Sequence, residues 1–413
     1  MRIAAFLNRY IKNDSETFLN SMVFIYIFLI FLDNVYDFSS FKLLTIAFCI
    51  IVFTGLLLQN KISGFEYLTI FIAFALTLWI ALIMWRPPLS FAFNRFILLA
   101  CCGAVIASNG FRSSLSKTLL ILQLFIVVYY IFILNYDPED VLTSSRNSIS
   151  IHLLAFCLIV YLTDYMEGKI RPVIWPALTV MILCIIANGR SGMIVSILLF
   201  MTVLLFNIKH IYLIAMNKYK PNRTILFLFV LFLGIISFII ATYTLPLLIE
   251  WFKTSRFNSE GIYSIRFEMW KQYFSELTFK RALFGRNLDQ YPITVVRDGV
   301  LLIKHSNPHN SFLDLWAKSG FFAFPIFLIT ILTIWYLKEK SLFLSIIFIL
   351  FLLRSSTDMV IYLRRSDYVF FAYMFLAFKG TGIESLISNS KYAVNLKNNI
   401  EKMRNNFNIK INK

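Results

Sequence analysis

Apolar residues run almost uninterrupted for about 20 positions at a time, then give way to short polar connections, and the pattern repeats along the chain. The runs are continuous rather than alternating, which predicts membrane-spanning α-helices and not the every-second-residue pattern of a β-barrel. About twelve spans follow: Phe18–Tyr36, Phe41–Leu58, Tyr67–Trp85, Phe91–Ser108, Thr118–Leu134, Ser150–Thr163, Pro172–Asn188, Gly192–Phe206, Thr224–Leu248, Phe312–Leu337, Ser341–Leu353 and Asp367–Phe378. The predicted fold class is an all-α polytopic membrane protein, a single integral-membrane domain over residues 1–413. One connection is unlike the rest. Residues 249–311, between the ninth and tenth spans, form a large loop, and a connection of this length is usually functional. Within it "SIRFEMWKQYFSE" is amphipathic, with Ile265, Met269 and Phe274 near helical spacing, and "ALFGRNLDQYP" predicts a turn.

Lysine and arginine placement orients the helices. Arg2, Arg9 and Lys12 precede the first span, and every second connection is basic: Lys61; Arg112 and Lys117; Lys169 and Arg171; Lys209, Lys218, Lys220 and Arg223; Lys338 and Lys340. The tail, residues 380–413, is basic as well. Placing all of these in the cytoplasm puts both termini inside and the long loop outside. The opposite connections then include the acidic stretches "DNVYDFSS" and "NYDPED".

Composition agrees. The 413 residues are 59% hydrophobic and only 15% charged, more apolar surface than a soluble domain of this size conceals. The net charge of +17 is spread over the cytoplasmic connections, so it serves topology and implies no nucleic-acid partner. Cys49, Cys101, Cys102, Cys157 and Cys184 all lie in apolar runs without metal-ligand spacing and read as packing residues. No nucleotide-binding or metallohydrolase motif is present.

Basic residues on the external side carry the candidate chemistry. Arg190, in "IIANGRSGMIVSILLF", stands at the outer end of the seventh or eighth span between Gly189 and Gly192, whose bare backbones admit a substrate. Arg266 lies in the long loop, and Arg354, Arg364 and Arg365 crowd the last external connection. A guanidinium offers a planar fork of donors matched to phosphate oxygens; near an interface it equally well snorkels to water. His309 is the sharpest signal. In "NPHNSFLDLWAKSG", Pro308 biases Asn307 toward an extended backbone, and His309 and Asn310 precede a helix beginning near Ser311. An imidazole at a helix N-terminus tends to the neutral form that accepts a proton; a capping or structural His occupies the same place. His305 is close enough in sequence to add a polar contact, whereas His152 and His210 read as structural. Tyr263, Trp270, Tyr273 and Tyr291 offer ring faces to sugars, and serve as readily in a belt or core.

The architecture and three local stretches resemble the O-antigen polymerase and O-antigen ligase superfamily of bacterial surface-polysaccharide enzymes. "NGRSGMIVSILLF" is similar to the family's Arg-containing segment, "SIRFEMWKQYF" to its loop helix with a second Arg, and "HNSFLDLWAKSGFFAFPIFLIT" to its His-Asn helix with the following Gly-containing span. The resemblance implies an inner-membrane glycosyltransferase with a periplasmic active site, inverting, metal-independent and without a cofactor. Its substrates would be undecaprenyl-pyrophosphate-linked glycans, with membrane lipid and a chain-length-regulating co-polymerase as further partners. Carried over by residue, Arg190 and Arg266 would bind the pyrophosphate and His309 would lie beside the acceptor; Asn310, His305 and Arg365 are supporting candidates read from the sequence itself. "SSRNSISIHLLAF" and "HNSFLDLWAKSG" look like stretches of polymerases, which join lipid-linked repeat units. The alternative is a ligase, which transfers the finished glycan to lipid A-core. A lipid-linked repeat-unit flippase predicts two similar halves, which the sequence lacks, and a non-catalytic scaffold predicts that His309 is dispensable.

Overall fold

The computed structural model describes residues 2–36, 89–107, 111–138, 140–141, 146–219, 265–288, 291–297, 300–305, 307–362 and 364–381, with isolated helical positions between 45 and 72. The apolar runs are helical: α1 (Arg2–Tyr36), α2 (Leu89–Ala107), α3 (Ser113–Val128), α4 (Arg146–Met166), α5 (Ile174–Ile186) and α6 (Arg190–Tyr219). The loop segment contributes α7 (Ile265–Ser275), α8 (Phe279–Phe284) and the strands β1 (Ile293–Arg297) and β2 (Val300–His305). The chain continues through α9 (Ser311–Ser319), a 3-10 turn at Gly320–Phe322, α10 (Ala323–Lys340), α11 (Leu342–Thr357) and α12 (Asp367–Phe378). Among the described residues, five helical stretches are long and apolar enough to cross a membrane: Glu16–Asp33, Ser113–Ile133, Asn147–Met166, Arg190–His210 and Ser311–Lys340. Phe96–Ala107, Ile174–Ile186, Leu342–Thr357 and Asp367–Phe378 are shorter apolar helices. The expected spans Phe41–Leu58, Tyr67–Trp85 and Thr224–Leu248 fall largely or wholly outside the described residues, as does the tail beyond 381.

The core forms around α12. Every residue of this helix is buried, as its sequence requires: "DYVFFAYMFLAF" has no polar stripe after its first turn. It packs against α2, α10 and α4. Gly103 sets the α2 contact, because a Cβ there would lie 2.5 Å from the Phe371 Cβ and 2.8 Å from the Ala372 nitrogen. Between helices in lipid, small residues give close van der Waals packing that apolar burial alone does not supply. The Tyr373 hydroxyl, buried in the same layer, donates to the Leu158 carbonyl of α4 at 2.9 Å. At the C-terminal end of α4, Asp164 accepts from Lys117 at 3.0 Å, Lys169 at 2.6 Å and the Ser113 hydroxyl, clamping α3 to α4.

Two features depart from the sequence reading. The loop is not wholly helical: β1 and β2 pair antiparallel, Ile293 opposite His305 and Arg297 opposite Val300, with an irregularity between Val295 and Val296. The loop segment builds a small core of its own from Met269, Tyr273, Leu288, Ile293 and Val295, which docks on Ala317 of α9. The tenth span is also broken. Gly320 adopts φ +57° between α9 and α10, and a Cβ there would strike the Leu283 carbonyl. Gly285, at φ +81°, makes the reciprocal approach to Lys318. Two glycines thus let α8 seat against the break, and the Arg286 nitrogen donates to the Ala317 carbonyl at 2.6 Å across the join.

Candidate functional site

The starts of α4, α6, α7 and α9 meet the end of α11 at the end of the bundle opposite the Asp164 clamp. The His309 segment is fixed first by local chemistry. Asn310 is the N-cap of α9, its Oδ1 accepting from the Phe312 and Leu313 nitrogens at 2.9 and 3.1 Å, so two otherwise orphaned donors of the helix are satisfied. Asn307 Oδ1 accepts from the His309 nitrogen at 3.2 Å. His309 itself lies in the left-handed region, φ +46°, a conformation that costs a non-glycine residue and recurs where surrounding contacts hold a functional side chain. Those contacts come from α7 and from the α11–α12 connection. Trp270 Nε1 donates to the Pro308 carbonyl at 2.7 Å. Ser311 Oγ donates to the Asp358 carbonyl at 2.9 Å and accepts from the Val360 and Ile361 nitrogens at 2.8 and 3.2 Å.

Asp358 is the hub. Its carboxylate faces Arg354 Nη2 at 3.4 Å, Arg266 Nη2 at 3.7 Å and His309 Nδ1 at 3.8 Å, and accepts from the Met359 nitrogen at 2.9 Å. Arg354, one helical turn earlier on α11, is 0% exposed. Its Nη2 also donates to the Asn147 carbonyl and to Ser150 Oγ, each at 3.3 Å, and its Nη1 to Thr357 Oγ1 at 3.3 Å. Arg266 donates to the Thr357 carbonyl from α7. One carboxylate therefore joins two guanidinium groups and an imidazole drawn from α7, α11 and the start of α9. Burial alone would push Asp358 up, but His309, Arg354 and Arg266 outweigh it and hold the carboxyl well below the usual range, so it is ionised at neutral pH. His309 Nδ1 is buried and has no hydrogen-bond partner among the described residues; Asp358 Oδ1 at 3.8 Å is beyond hydrogen-bond reach. The His305 ring lies edge-on to His309 at 5.1 Å between centroids, and burial together with the neighbouring imidazole lowers its pKa.

Arg190 is half-buried and opens α6. The glycines flanking it were expected to admit a substrate; instead they admit α4. A Cβ on Gly189 would lie 2.8 Å from Asn147 Oδ1, and one on Gly192 would collide with Ser150 Oγ. The first turn of α6 is thereby pressed onto the same turn of α4 that Arg354 bonds. Arg190, Arg266 and His309 thus reach one end of the bundle through three elements distant in sequence. The arginines of the last connection disperse to separate carboxylates: Arg354 to Asp358, Arg364 to Asp314 at 3.1 Å and Arg365 to Asp33 of α1 at 2.7 Å. Asn310 supports the site as a cap, and Arg365 has an ion pair with α1. Asp358 is the residue that sequence reasoning missed. Its signal was the spacing "RSSTD", which sets an Arg and an Asp four apart on a helix. Tyr273 is core to the loop and Trp270 holds the Pro308 carbonyl, while Tyr263 lies outside the described residues.

Chemically, the assembly combines donors suited to phosphate oxygens, the positive ends of helix dipoles and a proton acceptor held beside an ionised carboxylate. Among curated proteins no sequence matches the chain significantly. Residues 175–328 match the model of a family described as O-antigen ligase. The matched stretch is less than half of the 413-residue chain; it contains Arg190, Arg266 and His309 and ends before Arg354 and Asp358. The chain is thus similar over this region to a family of glycosyltransferase-like enzymes acting on lipid-linked glycans, a likeness that supports the O-antigen polymerase and ligase superfamily without separating polymerase from ligase.

Proposed function

We propose that the protein is an O-antigen polymerase, joining undecaprenyl-pyrophosphate-linked oligosaccharide repeat units at the periplasmic face of the inner membrane. The observation that carries this reading is the convergence of Arg266 and His309 on Asp358, with the Arg190 end of α6 pressed against the neighbouring turn of α4. A glycan carried on a lipid pyrophosphate brings its own leaving group, so the chemistry needs no nucleotide on the external side. The acceptor hydroxyl oxygen attacks the anomeric carbon, and its proton passes to His309. The bond from the anomeric carbon to the phosphate oxygen breaks, and the electron pair leaves with the lipid pyrophosphate. Arg190 and Arg266 stabilise the charge that develops there, and His309 supplies general-base catalysis. No metal is required in this scheme, because fixed guanidinium groups take the electrostatic role.

The same chemistry serves a ligase that transfers finished glycan to lipid A-core; the two differ in acceptor. A lipopolysaccharide gel of cells lacking the protein distinguishes them. Loss of a polymerase leaves core carrying a single repeat, whereas loss of a ligase leaves bare core. The direct test mixes purified protein with defined lipid-linked repeat units. Wild type is expected to yield longer lipid-linked products, and His309→Ala and Arg266→Ala to slow elongation by about 10²-fold or more. Elongation by His309→Ala at the wild-type rate would overturn the catalytic assignment.

A further inference from the structure

Three cationic or protonatable groups share one carboxylate at this site, and each approaches it differently. Arg354 is buried and has three other acceptors, Asn147 O, Ser150 Oγ and Thr357 Oγ1, so it is a fixed counter-charge. Arg266 reaches Asp358 at a loose 3.7 Å while anchored on the Thr357 carbonyl. His309 aims Nδ1 at Asp358 Oδ1 with 3.8 Å still to close. The chain on both sides of the imidazole is pinned, at Pro308 by Trp270 and at Ser311 by the Asp358 carbonyl, so the point from which the ring projects is fixed beside the carboxylate. An ionised carboxylate accepts hydrogen bonds only, and the ring nitrogen facing it is stabilised as the one bearing the proton. Catalytic hydrogen bonds are commonly long before substrate binds and tighten afterwards.

Resting on the reading above, we propose that Asp358 is the positioning residue of this site: it accepts from His309 Nδ1–H, which leaves Nε2 as the proton acceptor, and it ties that base to Arg266, which meets the departing pyrophosphate. Arg266 is shared between Asp358 and the incoming diphosphate. When it turns toward phosphate oxygens, more of the carboxylate is left to His309, so the ring is held more firmly as the donor seats. The charged and titratable groups facing His309 are Asp358 from the α11–α12 connection and His305 from β2, with Arg354 and Arg266 on the far side of the carboxylate.

The first test reads the tautomer with Asp358 in place. The chain has four histidines. With His152, His210 and His305 replaced by Gln, the imidazole nitrogen shifts of the remaining His309 are recorded near pH 8. The Nδ1–H form is expected; Nε2–H as the major form would overturn the proposal. The second test compares elongation by Asp358→Asn and Asp358→Glu at one pH. Asn keeps the shape and loses the charge, and kcat is expected to fall about 100-fold with the donor KM changed less than about threefold. Glu, which restores the charge, should recover about tenfold. A kcat within threefold of wild type in Asp358→Asn, with His309→Ala inactive, would sink this inference and leave the function standing. An active His309→Ala would instead sink the function.

Discussion

An arginine with none of its surface in water makes heavy demands on its surroundings. Arg354 is tolerated because its Nη donors meet Asp358, Asn147 O, Ser150 Oγ and Thr357 Oγ1. Removing one partner of such a buried pair leaves the other charge stranded, at a cost of about 3–5 kcal/mol. Arg354→Leu is therefore expected to lower Tm in detergent markedly, measured by following intrinsic fluorescence on heating, whereas Arg365→Leu, whose partner Asp33 lies on α1, should leave the His309 tautomer unchanged. The pH dependence follows from two residues that act in the same direction. Asp358 has a depressed folded pKa, so its contribution is complete above the ordinary carboxylate range and is lost only as pH falls through the folded value. His305 also has a depressed pKa; the unfolded chain binds more protons there, so stability drops as pH falls below the ordinary histidine range. His305→Gln is expected to flatten the loss of Tm between about pH 7 and 5.5, and an unchanged slope would place that titration elsewhere. At this scale His309 and Arg266 were legible because rare polar residues at apolar boundaries stand out. Asp358 was not, because an aspartate in a polar connection looks ordinary until the fold sets it against an imidazole 49 residues earlier.

Elements reach the site through close approaches that single glycines permit. Gly189 and Gly192 bring α6 onto α4, and Gly285 and Gly320 bring α8 onto the α9–α10 break. At Gly320 the obstacle is the backbone carbonyl of Leu283, which no rotamer change removes, and φ is +57°. Gly320→Ala should cost about 2–4 kcal/mol from the left-handed backbone and the clash together. A clear fall in Tm with faster proteolysis of the α7–α8 segment is the expected readout; Gly320→Ala with wild-type Tm would show that the two helices need not touch. The hairpin was readable in principle: Asp298-Gly299 separates two β-branched runs, a strong short-range hairpin signal. In a chain dominated by helical apolar runs, that local pattern was outweighed by its surroundings. The break in the tenth span was hidden for a related reason: Lys318 and Ser319 interrupt the apolar run only briefly, and only packing against α8 shows why the helix stops there.

Across the whole molecule, two polar clusters sit at opposite ends of α4. The Asp164 clamp joins lysines of connections expected inside, and the Asp358 hub sits at the end expected outside. Exposed positions near each end make the orientation testable. Ile170 is 81% exposed beside the clamp and Phe279 is 83% exposed in the loop segment. The native cysteines among the described residues, Cys101, Cys102, Cys157 and Cys184, are all buried and offer little background. In intact cells Phe279→Cys is expected to react with a membrane-impermeant maleimide, and Ile170→Cys only after permeabilisation. The reverse pattern would put His309 on the cytoplasmic side and remove the basis for transfer at the periplasmic face.

The sequence alone determined the solvent of this protein, the positions of most described helices and the short list of residues with chemistry to offer. These are sums over neighbouring residues: about 20 apolar side chains make a span wherever they occur, and a proline before a histidine shapes the backbone locally. Which members of the list act together was decided only by the tertiary structure. Arg354 bonds to Asn147 across 207 positions of sequence, and Arg266 meets the Thr357 carbonyl across 91. Contacts of that span depend on how helices pack and where glycines let them approach, and neither is a property of any one segment.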